Sequence, residues 1–560
     1  MRKPSRSILL DMLVNQGVEY VFGNPGTTEL PLMDAIQDYP QLKYLLALQE
    51  STSVAMAEGY ARATKKPGFV NLHIAGGLAN GLSMLYNAFR AGTPLVLTAG
   101  QSDTRLLLEE PLLSGNLVEM CRQYTKWSAE VLHGTDVPTA IRRAFRTALT
   151  PPTGPVFLSL PFNVLDEEIE LHPSPPSPVL SKIRPDPRAI EQAVGVLAKA
   201  QNPLLLVGDR VAQAGAVPDA VRAAELLGAM VMAPMLDSSE VNFPTSHGQF
   251  GGILNTGSPE TRAILARHDV ILAIGCNVFT QFLYIPQLLS GNERLIHLDV
   301  DVREIEKSNA VTVGIWGDIR ASLEELNNAL DGSMSSSERE AARTRRMKVE
   351  EGNARMREDV LAIGLKNWDQ KPMNESRLFL EMKKVIPENT IFVVEAPTSL
   401  TPFLNAIDLN EPGTCFINIR GGALGWAVGA ALGVKLAKPN LPVVCILGDG
   451  SAMYSIQGLW TAARYDLPVV YIVCNNRSYR ILKHFMKNYY FPLLGLKDRK
   501  SEYPGMNFFE HPLDCASVAE GFGVRGFKVD DPVDLKPTLE KAFALGKPAL
   551  IDVHVHSGDY

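Results

Sequence analysis

Residues 443–476 read VVCILGDGSAMYSIQGLWTAARYDLPVVYIVCNN, and the rest of the 560-residue chain is placed relative to this stretch. Residues 443–447 form a short continuous apolar run, and 469–473 form a second one rich in β-branched side chains. Such runs suit parallel strands covered on both faces. A helical segment lies between them. Gly448-Asp449-Gly450-Ser451 ends the first strand, where glycines permit a tight turn and a close approach of backbone to ligand. In a doubly wound sheet this turn falls at the carboxyl ends of the strands, where such sheets bind their ligands.

Asp449 offers a hard anionic oxygen and Asn476 a neutral carbonyl oxygen. Diphosphate oxygens and water would complete an octahedron around Mg²⁺. The helix N-terminus near Ser451 favours the phosphate. An isolated GDG is most often a turn and nothing more; the pair Asn475-Asn476, about 25 residues later at the end of the next strand, makes the combination specific.

The length, with 46% hydrophobic and 21% charged residues, fits three globular domains of ordinary size. A net charge of −7 without a basic tract argues against nucleic acid as a partner. The six cysteines are widely separated and form no CxxC pair, which suggests neither a disulfide framework nor a zinc site. A reducing cytoplasm is the expected compartment. The N-terminal MRKPSRSILLDMLVNQGV is interrupted by Asp11, Asn15 and Gln16 before it reaches signal-peptide length. No run approaches the ~20 apolar residues of a membrane span, so no membrane is expected as a partner.

Residues 1–180 alternate helical and strand patterns, with a helix near 7–16 and strands near 20–22, 44–47, 69–73, 94–98 and 156–160. The proline-rich PSPPSPVLSKIRPDP, 173–187, marks a linker. A second α/β unit covers 181–335, with strands at 203–207, 229–232, 270–274 and 294–298. It carries no convincing glycine-rich dinucleotide fingerprint. Residues 336–371, with RTRRMKVEE, read as a solvated linker and surface helix. Residues 372–560 form a third α/β unit around the quoted stretch. The expected fold class is α/β, with three doubly wound parallel-sheet domains.

GDG followed by NN resembles the diphosphate-binding motif of thiamine diphosphate enzymes. Three α/β units in one chain resemble the 2-keto acid decarboxylases of that family, with a pyrimidine-binding, a central and a diphosphate-binding domain. The resemblance implies thiamine diphosphate and Mg²⁺ as cofactors. Asp449, the Asn476 side chain and the Ser478 main-chain oxygen are the implied Mg²⁺ ligands. Glu50, in YLLALQESTSVAMAEGYARAT, stands where a strand ends and a helix begins. By itself it would only favour the helix dipole; the resemblance makes it the carboxyl that protonates the aminopyrimidine ring. In RGGALGWAVGAALGVKLA, 420–437, Gly422 and Leu424 match the positions that hold the 4′-amino group and prop the cofactor. Thr398, Ser399, Gly450, Ser451 and Tyr454 complete the implied cofactor contacts.

VFGNPGTTELPL (21–32) and GFVNLHIAGGLANGLSMLYNAF (68–89) narrow the resemblance to the benzoylformate decarboxylases. LALQE, PLVLTAGQ, GPVFLSLP, GDGSAMYSIQGLWTAARY and Phe485 extend it over nearly the whole chain. Thr27 matches an active-site serine and keeps a hydroxyl able to bind a substrate carboxylate. His73 matches a catalytic histidine. The match fails where a second histidine is replaced by Phe282, which cannot relay protons. Arg477, Arg480 and Ile481 stand where the family has smaller groups, and His484 reads as a surface or packing residue.

The resemblance thus implies non-oxidative decarboxylation of a small 2-keto acid, most simply an aromatic one, to an aldehyde, with carboligase side activity. The alternatives are a carboligase of the acetohydroxyacid synthase type and a lyase resembling 2-hydroxyacyl-CoA lyase or oxalyl-CoA decarboxylase. A homodimer or homotetramer, with active sites shared between chains, is also implied.

Overall fold

The computed structural model describes residues 2–170, 175–177, 182–258, 260–281, 284, 287–496 and 499–558. Phe282, to which the sequence assigns the lost proton relay, lies outside the described residues. So does part of the proline-rich segment at 173–187.

The chain falls into two compact units. The first comprises Met1–Val179, Asn367–Phe403 and Gly421–Tyr560; the second comprises Leu180–Lys366 and Leu404–Arg420. The first unit holds two parallel sheets. One runs in the order Lys43–Leu46, Tyr20–Asn24, Gly68–Leu72, Leu95–Gln101, Val156–Pro161, Ser128–Glu130. The other contains, in order, Ile391–Glu395, Val443–Gly448, Val469–Asn475, Ala549–His554 and Arg525–Val529. The second unit has its own parallel sheet, in the order Phe250–Leu254, Met230–Pro234, Pro203–Val207, Val270–Ile274, Arg294–Asp299, Val313–Trp316. All three domains are therefore parallel α/β sheets flanked by helices.

The central strands are buried along their whole length, as in Pro203–Val207 and Val270–Ile274. Helices on both faces leave no solvated side, which is why these segments are continuous apolar runs without alternation.

Within the first unit, the helix Glu50–Thr64 packs against the helix Trp426–Ala437. The backbones come so close that a Cβ on Gly433 would lie 1.9 Å from the Met56 carbonyl oxygen. Small residues on the facing stripe permit this approach. The fully buried Trp426 donates its indole Nε1–H to Glu58 at 2.9 Å, satisfying both polar groups. Asn87 adds a reciprocal pair, donating to the Ala423 carbonyl at 2.9 Å and accepting from the Ala423 N–H at 3.0 Å. The strand-to-helix junction at Glu50 and the loop that precedes Trp426 are thereby fixed in one core.

The charge-rich segment expected as a linker and surface helix forms one helix, Ser336–Gly364, started by a capping box between Ser335 and Glu338. Far from being fully solvated, it is tied to the second unit. Arg357 donates to the carbonyls of Thr245, His247 and Phe250, and Asn353 donates to that of Gly248 at 2.8 Å.

Candidate active site

The residues assigned from the sequence fall into two clusters, each at the carboxyl edge of a sheet in the first unit. The first cluster gathers around Glu50, the opening residue of its helix, whose N-terminus is capped by the Gln49 side chain accepting from the Thr52 N–H at 3.1 Å. Glu50 is half-buried and accepts from Asn80 Nδ2 at 3.0 Å and, more weakly, from Asn24 Nδ2 at 3.5 Å.

His73 stands at the end of Gly68–Leu72, immediately before the helix Ile74–Ala91. The next residue, Ile74, has φ +33°, a costly conformation for a β-branched side chain that recurs at functional turns. His73 Nδ1 lies 2.8 Å from Glu29 Oε2 and 3.1 Å from Thr28 Oγ1. Glu29, 1% exposed, also accepts from the Gly26 N–H, the Gly100 N–H and the Thr28 hydroxyl, each at 2.9 Å. A carboxylate so supplied with donors takes Nδ1–H from the imidazole and leaves Nε2 as the nitrogen free for chemistry. The His73 ring packs directly on the turn: a Cβ on Gly26 would lie 2.3 Å from it, so this position of the GNPG turn excludes a side chain. Thr27 opens the 3₁₀ turn Thr27–Glu29 and is exposed. The structure thus sets Thr28, and not Thr27, beside His73.

The second cluster surrounds the GDG turn. Asp449 begins a helical turn, is 2% exposed, and its Oδ2 has no hydrogen-bond partner among the described residues. Burial pushes its carboxyl up to about 6, against the lowering effect of backbone N–H groups of Gly450 and Arg477. Asn476 Oδ1 accepts from the Ser478 N–H at 3.1 Å and the Ser478 hydroxyl at 3.0 Å. Among the described residues no group of three or more His, Cys, Asp or Glu side chains converges on a metal position. An orphaned buried carboxylate oxygen beside neutral oxygen donors fits a hard divalent cation that keeps water and phosphate ligands, such as Mg²⁺.

Gly450 borders Tyr479, whose ring carbon would lie 2.5 Å from an added Cβ. Gly422 has φ +76° with open space where a Cβ would stand, so conformation and not packing explains that glycine. Leu424 and Thr398 are half-buried, Ser451 is buried, and Tyr454 is 54% exposed. Ser399 is fully buried, and its hydroxyl donates to Glu375. Glu395, which the sequence does not single out, receives the N–H groups of Gly425 at 2.6 Å and Ala427 at 2.7 Å. It thus satisfies donors at the start of the helix Trp426–Ala437.

Arg480, read as a pocket residue, turns inward. It pairs with Glu375 at 2.6 Å and donates to the His556 carbonyl at 2.6 Å. His484 lies 2.9 Å from Asn488 Nδ2 and packs edge-on against Phe485 and Tyr489.

Residues 5–123, 190–326 and 400–553 match the N-terminal, central and C-terminal domains of thiamine pyrophosphate enzymes, the diphosphate form of the vitamin. The chain is 32% identical to benzoylformate decarboxylase of Pseudomonas aeruginosa, covering 98% of both sequences. It is 27% identical to a probable acetolactate synthase large subunit of Methanococcus aeolicus, covering 97% of this chain and 90% of that one. Among solved structures, a thiamine diphosphate-dependent 4-hydroxybenzoylformate decarboxylase of Rhodococcus jostii superposes with TM-score 0.85 at 30% identity, covering 99% of each chain. Benzoylformate decarboxylase of Polynucleobacter necessarius gives TM-score 0.86 at 28% identity, covering 100% of this chain and 99% of that one. With three matching domains, end-to-end similarity and the two clusters above, the chain belongs to the thiamine diphosphate-dependent 2-keto acid decarboxylase family.

Proposed function

We propose that this protein is a Mg²⁺- and thiamine diphosphate-dependent decarboxylase that converts an aromatic, benzoylformate-like 2-keto acid to an aldehyde and CO₂ without oxidation, with acyloin formation as a side activity. The observation that carries the reading is His73, held by Glu29 and Thr28 at the same sheet edge as Glu50, in a chain similar over 98% of its length to a benzoylformate decarboxylase.

When bound, the cofactor supplies the sink for the electrons released with CO₂. The chain's own residues hold and move protons. Glu50 carries a carboxyl for proton exchange with the cofactor's pyrimidine ring, steadied by Asn80 and Asn24. His73 offers Nε2 for transfer to or from the reacting substrate, because Nδ1 faces Glu29. Thr27, on the exposed turn, donates its hydroxyl to the substrate carboxylate. Asp449, Asn476 and the Ser478 main-chain oxygen would hold Mg²⁺. Thr398, Ser399, Gly450 and Ser451 would contact the diphosphate, and Gly422, Leu424 and Tyr454 would contact the rest of the cofactor. We further assign the working form to a cytoplasmic homodimer or homotetramer with sites shared between chains. Among the described residues no helix is long and apolar enough to cross a membrane.

The similarity to acetolactate synthase subunits favours, as a second reading, a carboligase that joins the acyl group to a second carbonyl compound. A panel of 2-keto acids with CO₂, aldehyde and acyloin quantified separates the two. Aldehyde in step with CO₂ from benzoylformate is expected; acyloin as the main product without an added acceptor aldehyde would overturn the first reading. In the same assay Glu50→Gln should lose about 10²- to 10⁴-fold in turnover, the usual worth of a positioned acid or base. It should still bind Mg²⁺ and thiamine diphosphate.

A further inference from the structure

The short helix Arg480–Phe485, just after the Asn476-to-Ser478 segment, carries two cations with different fates. Arg480 is neutralised within the chain by Glu375 and by the His556 carbonyl. Lys483 is not. It is 4% exposed, and among the described residues neither a carboxylate nor a hydrogen-bond acceptor pairs with it. Its ammonium lies 4.9 Å from the ring centre of Phe509 and 5.9 Å from that of Tyr503, contacts that steady a cation without neutralising it.

The surroundings tie Lys483 to the GDG turn. Tyr479 is the N-cap residue of this helix, and its ring packs on Gly450. The segment bearing Tyr503 and Phe509 is hydrogen-bonded to the same loop. Tyr479 N–H donates to the Met506 carbonyl at 2.9 Å, and Phe508 N–H donates to the Arg477 carbonyl at 2.8 Å. Burial lowers the Lys483 ammonium below its ordinary value, while the charge of Asp449 acts on it in the opposite direction.

A buried cation is tolerated when it is paired in the working state. Among the described residues this turn leaves Asp449 Oδ2 without a hydrogen-bond partner and the Lys483 ammonium without an ion pair; the Nε of Arg477, next to Asn476, is likewise unpartnered. A divalent cation answers the first. A diphosphate carries more negative charge than one Mg²⁺ held by Asp449 would neutralise, and the excess answers the second. We propose that the Lys483 ammonium is a binding group for the diphosphate of the cofactor, a positive charge that the protein itself supplies at the GDG turn. This deepens the thiamine diphosphate reading above and rests on it.

The test is calorimetric titration of the full-length, metal-free apoprotein with thiamine diphosphate plus Mg²⁺ and, separately, with inorganic pyrophosphate plus Mg²⁺. Lys483→Met should weaken both by about 10- to 100-fold, the range for a hydrogen bond to a charged group. Lys483→Arg should retain most of the affinity. The KM for the keto acid at saturating cofactor should not change. Wild-type affinity for both ligands in Lys483→Met overturns the proposal, as does a rise confined to the keto acid KM, which would assign the ammonium to the substrate carboxylate. If the methionine variant does not fold, Lys483→Gln takes its place, and the same two outcomes decide. Failure of the wild-type protein to bind Mg²⁺ and thiamine diphosphate would instead remove the cofactor reading itself.

Discussion

Of the strand-ending turns in this chain that carry the dipeptide Gly-Asp, two, Gly208-Asp209 in the second unit and Gly448-Asp449 in the first, set their aspartates in opposite surroundings. Asp209 Oδ1 accepts from the N–H groups of Ser239 at 2.7 Å and Glu240 at 3.2 Å and from Asn242 Nδ2 at 3.1 Å; its Oδ2 accepts from the Ser239 hydroxyl at 2.8 Å. The following residue, Arg210, is pinned by Asp299 at 2.7 Å and Asn277 at 2.8 Å. At the other turn Asp449 keeps Oδ2 without a partner, and the following residue is a glycine. At one strand–Gly–Asp turn neighbouring donors consume the carboxylate; at the other they leave one of its oxygens for the ligand proposed above. Nucleotide-binding crevices of α/β sheets open at such strand ends. In the second unit the carboxylate at this strand end is bonded by the chain's own groups.

The sharpest way to break the comparison is to remove each carboxylate in turn. Asp449→Ala should abolish measurable binding of Mg²⁺ and thiamine diphosphate, and activity with it, because it deletes the proposed anionic metal ligand. Asp209→Ala should leave cofactor affinity unchanged and lower stability by about 1–3 kcal/mol, the cost of leaving buried donors unsatisfied. Cofactor titration and urea unfolding of both variants check this. Equal loss of cofactor affinity in the two would erase the distinction.

The same contrast explains what the sequence could reveal. The buried strands Pro203–Val207 and Val270–Ile274 are legible because burial on both faces demands continuous apolar runs. Ser128–Glu130, Phe250–Leu254, Val313–Trp316 and Arg525–Val529 are not legible: each is a sheet edge, where polar residues and glycine suffice. Ile391–Glu395 and Ala549–His554 are apolar enough for the same rule but lie outside the stretch from which the reading starts. Within the site, GDG and NN are legible because their spacing is local to one strand–helix–strand unit. Glu29 is not, because its meaning depends on His73, 44 residues away, and on the Gly100 amide, 71 residues away. Arg480 reads as a pocket charge until Glu375, 105 residues earlier in the chain, is seen to neutralise it. Motif residues face a ligand and are visible one at a time; their supports are long-range pairs.

Glu29 extends the comparison to the first domain, since it is a fully spent carboxylate whose hydrogen bonds serve a neighbour's chemistry. Glu29→Gln keeps the shape but puts an amide N–H₂ among groups that already donate, including His73 Nδ1–H and two backbone N–H groups. His73 should lose its fixed orientation. We expect kcat to fall by about tenfold to a hundredfold, toward the lower end of what a positioned acid–base group supplies. Binding of thiamine diphosphate should be unchanged, because the GDG cluster is untouched. Steady-state kinetics and cofactor titration on one preparation check the split; a variant with normal kcat would make Glu29 a packing residue only.

The smallest effect concerns a third aspartate, Asp514, which follows Leu513, the acceptor of a hydrogen bond from Asn475 Nδ2 at 3.0 Å, and is spent like Asp209. Asp514 caps the helix Cys515–Gly521, accepting from the Ser517 N–H at 3.0 Å and the Ser517 hydroxyl at 2.7 Å, and it pairs with Lys528. Partial burial pushes its carboxyl upward, but the bonds from Lys528 and Ser517 outweigh this and hold it at about 2. Asp449, without such donors on Oδ2, is displaced in the opposite direction. For Asp514 the folded value lies below the ordinary carboxylate value, so the folded state binds fewer protons than the unfolded state between the two. Its contribution to stability is present above the ordinary value and is lost as the pH falls through about 2. The side chain is 41% exposed, so solvent screens the pair and the effect is modest. Melting of the wild-type protein and of Asp514→Ala, followed from about pH 6 downward, should show a constant gap above about pH 4 that narrows steadily on further acidification. A gap that widens with acid would mean that burial, and not the Lys528 and Ser517 bonds, sets the ionisation of Asp514, and would place it with Asp449.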